Sequence, residues 1–183
     1  MKVAKTAKIN QEEMIGIAKR RADSLPFSAL TLNRILKLAK PKQLIFSGYG
    51  LREGQYFELL PPEMKNQDPL ISACEGFANR RGRFALHGAE ILNWVMPLFP
   101  KATERETRIL KAAALLSDIG WTEHPDYRAL HSFIRVLRLP VAGISHRDRA
   151  MIAMTIFFRY DGPRSQYEVK EVRPLIRDGD QSL

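Results

Sequence analysis

The sequence predicts a mainly α protein, a helical domain preceded by a short strand–loop–helix piece that does not belong to it. Three observations predict this. From Asp68 onward apolar residues recur at three- and four-residue steps, the period of an amphipathic helix, through five stretches with short connections. Ahead of them only Gln43–Ser47 is short, apolar and bounded by breakers, Pro41 and Gly48, as a strand should be. A lone strand leaves its backbone N–H and C=O groups unsatisfied, so its partner strands are expected outside this chain.

Taken in order, Asn10 to Leu38 reads as helix in one or two pieces, interrupted where Pro26 pushes Leu25 out of the helical region. The candidate strand follows, then the turn Gly48-Tyr49-Gly50-Leu51-Arg52-Glu53-Gly54 and a helix that Pro61-Pro62 stops. Asp68 caps the next helix with Pro69 at its first position, and Leu70, Ala73, Cys74 and Phe77 form its apolar face. Phe84 to Met96 makes a second helix and ends at Pro97. The third starts at Thr103, with Glu106 three residues on in a capping-box pattern. Tyr127–Leu139 and His146–Phe158 are the fourth and fifth. Arg159 to Leu183, with Pro163 and Pro174 and no sustained period, reads as a linker or a frayed end.

Composition narrows the classes of function. With 45% hydrophobic and 27% charged residues, the 183-residue chain can bury one good core and is not disordered as a whole. It contains no long uncharged apolar run and no apolar segment behind its lysine-bearing start, so neither a membrane span nor a secretory signal is expected. Cys74 is alone, which excludes an internal disulfide and fits a reducing cytoplasm. A formal charge of +9 creates a positive potential that draws polyanions: nucleic acid, a phosphate polymer or an acidic partner. No aromatic ladder suited to stacking bases can be traced, so nucleic acid is not the expected ligand.

The histidines and nearby carboxylates are the first place to look for chemistry. His87 lies in one helix, Ser117-Asp118-Ile119-Gly120-Trp121 at the end of the next, and His124 and His131 follow. The layout is similar to an HD-type metal phosphohydrolase, in which a His, a His-Asp pair and a later Asp hold metal that activates water. Here Ser117 stands where the His of the pair would be, and a hydroxyl is a poor ligand beside an imidazole. A working metal site is therefore not expected, and His87 and Asp118 are read as a buried hydrogen-bonded pair between two helices. Substitution of the missing ligand by His124 or His131 is the alternative.

The second constellation is basic. Arg80, Arg81 and Arg83 precede the His87 helix, and Arg128, His131, Arg135 and Arg138 recur at the spacing of one helix face. Guanidinium groups bind phosphate oxygens through paired hydrogen bonds, so such a row suits a repeating phosphate chain; a solvated face with scattered salt bridges is the alternative. The glycine turn before Arg52 can expose backbone N–H groups to an anion, but a plain structural turn is as good a reading. No glycine-flanked serine elbow occurs, so an acyl-transfer triad is not expected.

These strings together resemble one family. Ser47-Gly48-Tyr49-Gly50-Leu51-Arg52-Glu53-Gly54, Asp68-Pro69-Leu70, Arg81-Gly82-Arg83, His87, Leu116-Ser117-Asp118-Ile119-Gly120-Trp121 and His124-Pro125-Asp126-Tyr127-Arg128-Ala129 are similar to the exopolyphosphatase and guanosine pentaphosphate phosphohydrolase family. Arg159-Tyr160-Asp161-Gly162 continues the likeness, which runs from about Leu25 to Pro163. The resemblance implies that residues 1–60 end an actin-like (ribonuclease H-like) second lobe, that 61–163 form the family's HD-like helical domain, and that 164–183 are a tail or linker. The family's phosphate-binding loops, magnesium-binding carboxylates and water-activating glutamate belong to actin-like segments that this sequence does not contain.

The resemblance therefore implies a carboxy-terminal part of a hydrolase that releases terminal phosphate from inorganic polyphosphate. Its roles would be to hold polyphosphate and to make homodimer contacts in the cytoplasm, with no catalytic residue of its own and magnesium needed only by the full-length enzyme. Arg52, Arg80, Arg81, Arg83, Arg128, His131, Arg135 and Arg138 are the candidate polyphosphate contacts; His87, Ser117, Asp118 and His124 are the remnant HD site. Guanosine pentaphosphate is the competing family substrate. The rivals are a stand-alone HD-type metal-dependent phosphohydrolase and a basic module that binds nucleic acid or protein.

Overall fold

A computed structural model describes residues 23–81 and 87–176, and the chain divides into two units, residues 1–50 and 51–183. In the first unit, helix α1 spans Leu25–Ala39 with Pro26 in its first turn, where a missing N–H costs nothing, and Lys40 closes it in the left-handed conformation with its N–H on Leu36 O. Pro26 thus stands at the start of this helix, and the part of the expected Asn10–Leu38 stretch before residue 23 lies outside the described residues. None of its side chains is buried: Phe27 and Leu38 are more than 70% exposed, at 71% and 73%.

Gln43–Ser47, expected to be a strand whose partners lie outside this chain, forms no ladder here. No strand occurs among the described residues, and Leu44, Ile45 and Phe46 lie exposed on an unpaired segment. Apolar patterning makes a segment fit for a sheet, but the ladder itself needs a second chain segment within hydrogen-bonding distance.

The second unit is helical. Two short helices, α2 (Leu51–Glu58) and α3 (Pro62–Lys65), precede the packed core helices α4 (Pro69–Arg81), α5 (His87–Val95), α6 (Glu104–Leu115), α7 (Pro125–Leu137) and α8 (His146–Arg159). Local chemistry sets the starts of these helices. Asp68 Oδ1 accepts from the Leu70 and Ile71 N–H groups at 2.9 and 3.3 Å, and Thr103 with Glu106 forms the full capping box of α6. Ser145 caps α8 through the Asp148 N–H.

Helix α6 is central, packing against α4, α5 and α8, while α7 lies along α8. Leu70 and Cys74 from α4, Ile109 and Ala112 from α6, Phe133 and Val136 from α7, and Ile152, Ile156 and Phe157 from α8 make the core. The Phe133 and Phe157 rings meet edge to face, 5.5 Å between centroids. Cys74 is wholly buried, and desolvation pushes its thiol up to about 12, so it behaves as a small hydrophobe. Gly88 lets α5 approach α6 closely, since a Cβ there would sit 2.7 Å from Leu115 Cδ2.

The stretch after α8, expected to be a linker or a frayed end, folds back over its described part, to residue 176. Helix α8 ends in a Schellman turn: Asp161 takes φ 55°, and the Asp161 and Gly162 N–H groups bond Phe158 O and Phe157 O, each at 3.0 Å. Helix α9 (Tyr167–Val172) and a 3-10 turn (Arg173–Leu175) follow, and Val169 joins the core at 3% exposure. A six-residue helix is too short for a period to register in the sequence.

Candidate functional site: the Ser117–Trp121 corner

Helix α6 runs out at Leu115, and the chain descends through successive tight turns from Leu116 to Glu123, with i to i+3 bonds at Ile119, Trp121 and Glu123. Such turns leave carbonyl oxygens without helical partners. Side chains from α7 and α8 supply them. Tyr160 donates its hydroxyl to Ser117 O at 2.8 Å, Arg135 Nη1 donates to Ile119 O at 2.5 Å, and Arg128 Nη2 donates to Trp121 O and Glu123 O at 3.2 and 3.1 Å. The Arg128 guanidinium also lies 5.2 Å over the Trp121 ring and 5.7 Å over that of Tyr160. Burial pushes the Tyr160 phenol above its usual range, keeping it a neutral donor to the Ser117 carbonyl.

Gly120 is required by this closeness. A Cβ at that position would lie 2.0 Å from Ser132 Oγ and 3.0 Å from Arg128 Cγ, so α7 can seat against the corner only because residue 120 has no side chain.

Beside the corner is a cavity of about 180 Å3 lined by Phe77, His87, Ser117, Asp118, Arg135 and Leu139 among others. The structure thus brings together three of the four residues of the expected remnant HD site. His124 is not among those lining residues: it caps α7, with Nδ1 accepting from the Asp126 N–H at 3.3 Å. The expected His87–Asp118 hydrogen bond is corrected. Asp118 Oδ1 accepts from Arg159 Nη2 at 2.8 Å, and His87 Nδ1 meets Glu90 Oε2 of its own helix at 2.7 Å. Arg159 takes Asp118 because its guanidinium reaches the carboxylate from the end of α8 and makes a charge-assisted hydrogen bond with it.

Magnesium, implied by the family resemblance for the full-length enzyme, does not suit these donors. The Asp118 carboxylate is neutralised by Arg159, Arg135 shares the cavity, and no cluster of three or more His, Cys, Asp or Glu side chains arranged to hold a metal occurs among the described residues. His131 does not repair the set, since its Nδ1 lies 3.0 Å from Glu123 Oε2 and this contact holds the Glu123 carboxyl below its usual range.

The basic row of α7 is divided in use. Arg128 and Arg135 turn their guanidiniums to carbonyls of the corner, and Arg149 of α8 does the same for Leu139 O at 2.5 Å and Val141 O at 3.1 Å. Arg138, at the end of α7, is exposed, as is Arg80, whose Nε bonds Gly76 O at 2.9 Å. Arg52 lies exposed in α2. Arg83 and the side chain of Arg81 lie outside the described residues. In the glycine turn, Gly48 and Gly54 have open space around the position of a Cβ, so packing does not demand glycine there. Sequence reasoning missed the roles of Arg159 and Tyr160, although both stand in the Arg159-Tyr160-Asp161-Gly162 string that supported the resemblance.

Comparison with known proteins decides the family. Residues 70–178, more than half of the chain, match the family described as exopolyphosphatase, C-terminal. The chain belongs to this family. It is also similar to Retrograde regulation protein 2 of Saccharomyces cerevisiae, at 27% identity over 184 residues. That alignment takes in 94% of this chain but only 30% of the yeast protein's length, so the chain spans under a third of that relative. The Ser117–Trp121 corner and every residue lining its cavity fall inside the family match.

Proposed function

We propose that this chain is the polyphosphate-holding and dimer-forming helical part of an exopolyphosphatase-type hydrolase, with residues 1–60 closing an actin-like lobe, and that alone it releases no phosphate. The observation that carries this reading is the exopolyphosphatase carboxy-terminal match over residues 70–178. The donor chemistry of the corner is in keeping with the second half: the carboxylate lining its cavity, Asp118, is paired with Arg159 and is not free to take a divalent cation. A charge of +9 supports a polyanionic ligand, and Arg52, Arg80, His131 and Arg138 are the exposed candidates for first contact. Arg81, Arg83, Arg128 and Arg135 are the remaining candidates. The exposed apolar side chains of α1 are, in this reading, a face for packing within the lobe.

A second reading draws on the yeast relative, whose name is that of a regulator: the fold would bind a phosphate-rich ligand or a protein as a signal, with no hydrolysis in the longer protein either. Incubation of the chain with long-chain polyphosphate and magnesium separates these ideas from an enzyme. No phosphate release above buffer is expected, and steady turnover that a chelator abolishes would overturn both readings.

A further inference from the structure

Between α6, α8 and the segment that follows lies a second cavity, of about 360 Å3, separate from the corner in every lining residue. Ile109 and Leu110 of α6, Met151, Met154 and Phe158 of α8, and Val169 of α9 form an apolar wall. Two cations complete it. Arg164 and Arg173 line the same cavity, and both are exposed, which puts them at its rim. Neither forms a salt bridge with a described carboxylate; Arg164 lies 6.0 Å over the Phe158 ring. The remaining polar side chain, Thr155, spends its hydroxyl on Met151 O at 2.9 Å.

We propose that this cavity is a binding site for a medium-chain fatty carboxylate, whose acyl chain fills the apolar wall while Arg164 and Arg173 take its carboxylate. Size agrees with the ligand: scaled from a ~150 Å3 cavity that accepts benzene, the space holds on the order of a dozen heavy atoms. Methionine side chains bend to follow a flexible chain, and a guanidinium binds a carboxylate with two parallel hydrogen bonds. A nucleotide fits poorly, because a base edge needs donors and acceptors that this wall lacks. Bare phosphate would leave the apolar wall unused. The inference does not rest on the polyphosphate reading and stands if that reading fails.

The test is titration of decanoate, kept below its micelle-forming concentration, into the full chain, followed by calorimetry and by NMR of 13C-labelled methionine methyl groups. One saturable site is expected, with shifts at Met151 and Met154. Decanol should bind at least tenfold more weakly, and the double variant Arg164→Gln, Arg173→Gln should lose at least tenfold in affinity while melting as the parent does. Met154→Trp should fill the cavity and abolish binding; if that variant fails to fold, the exposed arginine pair still decides. No saturable binding, decanol binding as tightly as decanoate, or an unaffected arginine double variant would each overturn the proposal.

Discussion

At the scale of single residues, the corner depends on one absent side chain. Gly120→Ala brings a methyl to 2.0 Å from the wholly buried Ser132 Oγ, and overpacking of this kind costs about 1–3 kcal/mol. The expected outcome is a lowered urea midpoint with an unchanged slope, which equilibrium unfolding reads directly. Asp68 holds two roles at once, capping α4 and taking the Arg108 guanidinium in a two-point contact, with Nε on Oδ2 at 2.5 Å and Nη2 on Oδ1 at 2.8 Å. The Arg108 hydrogen bond holds the Asp68 carboxyl below its ordinary range. Its folded value is therefore below its unfolded one, so the stability it contributes is complete above the ordinary carboxylate range and is lost as pH falls from that range through the lowered folded value. Asp68→Asn, which keeps a capping oxygen, should cost about 1 kcal/mol at neutral pH, and the gap from the parent should close as melting is repeated at lower pH. A gap independent of pH would exclude this account.

Elements show how much of the fold is local. The Asp68-Pro69 start of α4 and the Thr103–Glu106 box of α6 were legible because a cap acts within three residues, and both occur where the sequence places them. The His146 start of α8 was legible from its helical period, and the structure adds the Ser145 cap. Gln43–Ser47 and α9 mark the two limits of local reading. The first has strand composition without a ladder; the second has no readable period yet buries Val169, because the Schellman turn at Asp161–Gly162 redirects the chain onto the core. Val169→Ala should therefore cost roughly 2 kcal/mol, from two lost methyl groups and the space they leave. Limited proteolysis would then be expected to cut sooner after residue 163, whereas a dangling tail would show neither effect.

For the whole molecule, charge and its deployment separate. The surplus of +9 is a sum over the sequence, but Arg128, Arg135 and Arg149 are turned to backbone carbonyls and Arg159 to Asp118. If polyphosphate binds through the exposed cations, Arg80→Ala and Arg138→Ala should each weaken binding modestly and reduce the salt dependence by about one released counterion. Measured affinities across a salt series check this; an unchanged slope in both variants would place the ligand elsewhere. Helical periods, capping boxes and the strings shared with the exopolyphosphatase family lie in the order of residues alone, because each is written within a few positions of the chain. Which carbonyl an arginine reaches, that Asp118 faces Arg159 and not His87, and that the last helix returns to the core were decided by tertiary packing. These partners lie up to about forty positions apart, and only the stacking of α6, α7 and α8 brings them within the three ångströms a hydrogen bond requires.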